Sequence, residues 1–104
     1  MQIKNIPAKE LAPGIRGYYA HGGNHTFGFV ELKAGSSVPT HQHIHEQITY
    51  VAEGQLDMII GGVPCSLTPG TYQIIPPNTP HSAIAKTDCI VIDTFAPVRE
   101  DYKS

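Results

Sequence analysis

Three of the chain's six histidines, His41, His43 and His45, fall at alternate positions within the stretch 35–50. In an extended chain successive side chains point to opposite faces, so His41 and His43 share a face and can chelate one metal ion. His45 and Gln47 have the same parity. At roughly 3.3 Å per residue, though, a straight strand from 41 to 47 would run about 20 Å, too far for one ion. If more than two of these residues reach the same metal, the chain turns between His43 and Gln47. Ile48, Thr49, Tyr50 and Val51 are β-branched or aromatic and place the start of a new strand near Gln47.

A further imidazole, His81, follows Pro76-Pro77-Asn78-Thr79-Pro80. The prolines stiffen that loop, and a ligand site needs its side chains held still. His41, His43 and His81 are therefore the ligand candidates. Gln47 is a candidate fourth through its neutral amide oxygen. Glu46 is the rival, but its opposite parity to His43 and its place beside a turn suit it better to the surroundings of a metal than to the metal itself. Three neutral imidazoles and an amide leave a +2 charge uncompensated, which makes a strong Lewis acid that attracts anionic groups. Such a set suits Zn, Ni, Fe, Mn or Cu and does not choose among them. His21 and His25 flank a Gly-Gly turn and read as surface or hydrogen-bonded residues.

The elements that must carry these side chains are short strands. With 104 residues the chain is long enough for one domain with one modest core, residues 1–104. Ten glycines and nine prolines punctuate short apolar runs with no long helical period, which predicts an all-β sandwich or barrel. Ile3 and Ile6 form a short edge strand in the entry segment 1–14, which Pro7 and Pro13-Gly14 interrupt. Strands are expected at 15–20, 25–33, 47–52, 56–60, 63–67, 71–75, 82–86 and 89–95, with a polar tail over 96–104. In the second of these, Thr26, Gly28, Val30 and Leu32 share one face and Phe27, Phe29 and Glu31 the other.

Composition narrows the function. A formal net charge of -2 with no basic run argues against nucleic acid as a partner. No stretch resembles a spanning helix, and the first residues are too short and polar for a signal peptide, so a cytoplasmic protein without a membrane partner is expected. Cys65 and Cys89 sit in apolar runs without a C-x-x-C spacing and read as buried free thiols. In the run 89–95 one parity gives Cys89, Val91, Asp93 and Phe95 and the other Ile90, Ile92 and Thr94. Both faces are largely apolar, although a small barrel has solvent outside. That predicts a homodimer covering the outer face; the alternative is cover by the chain's own termini.

Gly35, His41, His43, Gln47 and Gly54 resemble, in type and spacing, the first motif of the cupin superfamily, with Gln47 where a Glu is usual. Gly70, Pro76, Asn78, His81 and Ala85 resemble the second, with Asn78 for the usual Gly and Ala85 for the usual Asn. The resemblance implies a single-domain cupin β-barrel, a jelly roll of two antiparallel sheets. Its one divalent transition metal, Zn, Ni, Fe or Mn, would be held inside by His41, His43, Gln47 and His81 from segments 35–54 and 70–85. Gln47 weighs against Glu-dependent dioxygenase chemistry. More narrowly, the segments 41–47, 75–81 and 93–101, together with His21-Gly22-Gly23-Asn24, resemble the KdgF family of pectin-degradation cupins. That resemblance implies an enzyme that turns cyclic 4,5-unsaturated uronates from pectin or alginate into their linear keto form. It places the family's functional Asp, Phe and Arg at Asp93, Phe95 and Arg99.

The residues themselves are compatible with those roles. Asp93 is a carboxylate in an apolar strand, either a proton-transfer group or a buried acid bonded to backbone or to a histidine. Phe95 shares its parity and is a pocket wall or plain core. Arg99 suits bidentate grip of a substrate carboxylate, or is a solvated surface residue. The other function classes open at this point are a dioxygenase-like cupin and a non-catalytic metal- or ligand-binding cupin.

Overall fold

The computed structural model describes residues 1–103; Ser104, the end of the expected tail, lies outside them. Ten strands follow one another: β1 (Lys9–Ala12), β2 (Ile15–His21), β3 (Thr26–Leu32), β4 (Ser37–His41), β5 (Glu46–Glu53), β6 (Leu56–Ile60), β7 (Val63–Leu67), β8 (Tyr72–Ile75), β9 (His81–Ala85) and β10 (Cys89–Ala96). They form two antiparallel sheets that enclose one core, of order β1-β2-β3-β10-β5-β8 and β4-β9-β6-β7. This is the all-β, two-sheet architecture the punctuation predicted, in the jelly-roll form the cupin resemblance implied. Among the described residues no helix is long and apolar enough to cross a membrane.

Alternation decides which side chains reach the interior. Thr26, Gly28, Val30 and Leu32 of β3 are all buried, as their shared parity required. On β5 the inward residues are Gln47, Thr49 and Val51. On β10, Cys89, Val91 and Phe95 are buried with Asp93 part-buried between them. β10 is the shared neighbour of β3 and β5, and the register sets Phe95 opposite both Thr26 and Gln47 and Asp93 opposite both Gly28 and Thr49. Inward polar groups of three strands therefore meet at one level, beside a core that includes Ile15, Val30, Leu56 and Val91.

Two expectations for the ends of the chain are corrected. Ile3 and Ile6 do not make an edge strand: Ile3–Asn5 is a 3-10 helix closed by the Ile6 amide donating to the Ile3 carbonyl, and Pro7 has no N–H to carry a ladder onward. The edge strand is β1 instead, which pairs with β2 across the Pro13-Gly14 turn. Nor is the end a solvated polar tail, because Val98 and Arg99 are buried and Glu100–Tyr102 forms a second 3-10 helix. Both cysteines are free thiols, with Cys89 buried and Cys65 part-exposed.

Candidate functional site

His41 is the last residue of β4; residues 42 and 43 lie outside any strand, and the chain bends at 44–45. The turn thus falls between His43 and Gln47, as the spacing required, and β5 brings Gln47 back. His81 opens β9 and pairs directly with His41 across the ladder. Asn78, in the loop before it, has φ 58°, a left-handed conformation that asparagine tolerates better than most residues. Its amide donates to the His43 carbonyl at 2.7 Å and so ties the two histidine-bearing loops together.

The donor atoms of His41, His43 and His81 all lie within 4.8 Å of one another. Each ring commits Nδ1 to a backbone carbonyl: His41 to Pro39 at 3.0 Å, His43 to His45 at 3.1 Å and His81 to Thr79 at 2.8 Å. A carbonyl oxygen only accepts, so each Nδ1 carries the hydrogen and Nε2 of each neutral ring is a bare lone pair. Burial, with the nearby Arg99 charge as a second cause, holds His43 down to about 4, and burial likewise lowers His81. His43 Nε2 stands 3.0 Å from Gln47 Oε1. These are two acceptors in contact, an arrangement that a cation bound by both would satisfy. His81 Nε2 is buried without a partner. The residues present therefore fit a divalent metal, with three imidazole nitrogens and one amide oxygen as donors. Glu46 is exposed on the outer face of β5, so it does not share the interior with Gln47. His45 is buried, with its ring centre 5.2 Å from that of His43, and supplies its carbonyl rather than its ring.

Beside the histidines lies a cavity of about 80 Å3, lined at its polar end by Gln47, Thr49, Asp93, Phe95 and Arg99. Burial pushes the Asp93 carboxyl up from the ordinary carboxylate range, against the pull of hydrogen bonds from Thr49 and Gln47. Both of those bonds reach Oδ1, from the Thr49 hydroxyl at 2.7 Å and from Gln47 Nε2 at 3.3 Å.

Arg99 is 6% exposed. Its guanidinium centre lies 3.9 Å from the Tyr102 ring centre and 4.8 Å from that of Phe95, and Asp101 accepts from Nε at 3.0 Å and Nη2 at 2.7 Å. Burial works against the charge, but Asp101 and Tyr102 outweigh it and keep Arg99 protonated, while Arg99 holds Asp101 below the usual carboxylate range. The Arg99 amide donates to the Thr26 hydroxyl at 2.9 Å, and Thr26 pairs with His21 Nδ1 at 2.9 Å. Tyr19, whose ring packs so closely over Gly28 that a Cβ there would collide with it, backs Tyr102 at 4.6 Å.

All seven candidate residues, His41, His43, Gln47, His81, Asp93, Phe95 and Arg99, are thus grouped in one region. Sequence reasoning overlooked Thr26, Thr49, Asp101 and Tyr102. Inward parity marks both threonines, and no local pattern marks the other two.

Comparison with known proteins agrees with this architecture. The profile described as the cupin domain matches residues 28–95. The pectin degradation protein KdgF of Dickeya dadantii is 33% identical over 75 residues, 70% of this chain and 68% of that protein. The H2HPP isomerase of Bacillus subtilis is 35% identical over 80 residues, 76% of this chain but 34% of that protein, so the chain spans about a third of its length. Among solved structures, KdgF from Halomonas sp. superposes with a TM-score of 0.86 at 33% identity, covering 94% of this chain and 92% of that one.

Proposed function

The chain belongs to the cupin family, and from that premise we propose that it is a metal-dependent enzyme that opens and ketonises 4,5-unsaturated uronates released from pectin or alginate. The observation that carries this reading is one cavity lined by His41, Gln47 and His81, with His43 clustered beside them, together with a buried carboxyl of raised pKa and a caged arginine. Likeness to KdgF, a pectin degradation protein by name, supports the substrate class. The isomerase name of the second relative supports a reaction that moves a proton without net oxidation.

The reaction balances as an isomerisation. The anomeric hydroxyl loses its proton, the ring C–O bond breaks to leave an aldehyde and an enolate, and the former double-bond carbon takes up a proton to give the ketone. A divalent ion held by His41, His43, Gln47 and His81 supplies Lewis acidity that its neutral ligands do not dampen. Arg99 grips the substrate carboxylate with the guanidinium edge that Asp101 leaves open. Asp93 accepts and returns the proton: its Oδ1 is anchored by Thr49 and Gln47, and Oδ2 carries no hydrogen bond among the described residues. Phe95 forms an apolar wall between the histidines and Arg99, with its ring centre 5.8 Å from that of His43. The cavity's 80 Å3 is small beside the roughly 300–1,000 Å3 of common ligand pockets, so the sugar lies across its mouth.

The test is turnover of 4,5-unsaturated galacturonate, followed by loss of the double bond's ultraviolet absorbance. Acceleration over the spontaneous rate that a chelator abolishes is the expected result. No acceleration with metal bound would end this reading.

In the same reading the protein works as a homodimer through the outer face of the six-stranded sheet. There Tyr72, Tyr50, Ile92 and Phe29 form one cross-strand row, and Ile74, Ile48, Thr94 and Phe27 the next. The N-terminal 3-10 helix covers only one corner, with Lys4 over Tyr18 and Phe29.

A further inference from the structure

Gln47 is bonded at both ends of its amide. Nε2 donates to Thr49 Oγ1 at 2.9 Å and, more weakly, to Asp93 Oδ1 at 3.3 Å, while Oε1 faces His43 Nε2 at 3.0 Å. An amide is nearly symmetric in shape. Turned by half a rotation it would aim its NH2 at the histidine lone pairs and its oxygen at Asp93, and it would then be useless as a ligand. Thr49 breaks that symmetry. Its hydroxyl has one hydrogen, given to Asp93 Oδ1 at 2.7 Å, so only its lone pairs remain for Gln47. It can accept from the amide nitrogen and can give nothing to the amide oxygen. Thr49 is 1% exposed, so its hydroxyl is held away from bulk solvent.

We infer that Thr49 is a positioning residue that fixes the carbonyl end of Gln47 toward His41, His43 and His81 and at the same time holds Oδ1 of Asp93. The inference rests on the metal reading of the site and not on the identity of the substrate. It also accounts for an amide rather than a carboxylate at position 47. A glutamate there would have no N–H, and its second oxygen would face Asp93 Oδ1 and the Thr49 lone pairs.

The experiment compares Thr49→Val, which keeps the shape and removes the hydroxyl, with Thr49→Ser, which keeps the hydroxyl. Chelator-stripped protein is titrated with Zn(II) alone against a chromophoric competitor, and the visible absorption of the Co(II)-loaded protein is recorded. The expected result is roughly 10–100-fold weaker Zn(II) binding and an altered Co(II) band in Thr49→Val, the usual consequence of removing a group that orients a ligand. Thr49→Ser should match the native protein in both. Should Thr49→Val fold poorly, Gln47→Glu alone against Gln47→Glu with Asp93→Asn gives a second measurement, in which the double variant binds Zn(II) more tightly. Native affinity in Thr49→Val, or equal weakening in Thr49→Ser, would overturn the inference. Failure of the native protein to bind Zn(II) or Co(II) would instead overturn the metal reading beneath it.

Discussion

The guanidinium of Arg99 and the ring of Tyr102 lie 3.9 Å apart, centre to centre, three residues along the same terminal turn. Stacking of this kind is worth about 0.5–2 kcal/mol, more as the cation is desolvated. Removing the ring by Tyr102→Ala should free Arg99 to sample other orientations. The expected outcome is a KM raised roughly tenfold, about 1.4 kcal/mol, with kcat much less affected and Tyr102→Phe near native. Arg99→Lys should raise KM further, because a point charge cannot grip a carboxylate at two points. Steady-state kinetics on the unsaturated uronate checks both, and an unchanged KM in Arg99→Lys would remove Arg99 from substrate binding.

Asp93 sets function against stability. Its folded pKa lies above the unfolded value, so the stability it contributes is present below the unfolded pKa and lost as pH rises through the folded one. Ionising this buried carboxyl in the folded protein therefore works against the fold. Asp93→Asn should lower turnover by roughly 100–10,000-fold while metal content persists and Tm holds or rises. Retained activity would exclude Asp93 as the proton carrier. A lower Tm with lost metal would make it a structural residue.

The histidines predict the opposite pH slope. His43, held to about 4, and His81, also lowered, bind protons more readily in the unfolded chain. Their stabilising effect is complete above the unfolded histidine pKa of about 6.5 and is lost as pH falls toward the folded values. Chelator-stripped protein should melt at progressively lower temperature between pH 7 and pH 4. Zn(II) should raise Tm near pH 7, an increment that shrinks over the same window as protons compete for Nε2. Thermal scans with and without Zn(II) at several pH values measure this, and a Zn(II) increment independent of pH would contradict histidine ligation.

Much of this site is written locally. His41, His43 and His81 are legible because ligand spacing and proline-stiffened loops are short-range features, and the inward set on β3 follows from alternation alone. β1 escaped notice because Lys9-Glu10-Leu11-Ala12 has no β-branched residue, and only pairing with β2 makes it a strand. The terminal turn escaped for a different reason. Arg99 is anchored by Thr26, from far earlier in the chain, and Tyr102 leans on Tyr19, so the burial of this polar segment is a product of tertiary packing. Thr49 shares Gln47's parity. It was legible as an inward residue, but its bonds to Gln47 and Asp93 depend on the register of β5 with β10.

The outer sheet face carries the last prediction. Ile48, Tyr50, Tyr72 and Ile74 are between 39% and 61% exposed, and they adjoin Ile92 and Phe29 with no charged side chain in either cross-strand row. A contiguous apolar face of this kind is rare on monomers, and a two-fold pairing of the same face buries it without needing a second protein. Tyr50 is near the middle of its row, and its ring points away from the metal cavity. Tyr50→Glu would set two carboxylates against an apolar counterface across the axis, a burial that association cannot compensate. Light scattering after gel filtration should report a dimer for the native protein and a monomer for Tyr50→Glu, with Zn(II) affinity unchanged because the substitution lies on the opposite face of β5 from Gln47 and Thr49. A native monomer at tens of micromolar would leave the face uncovered by a second copy and refute the dimer.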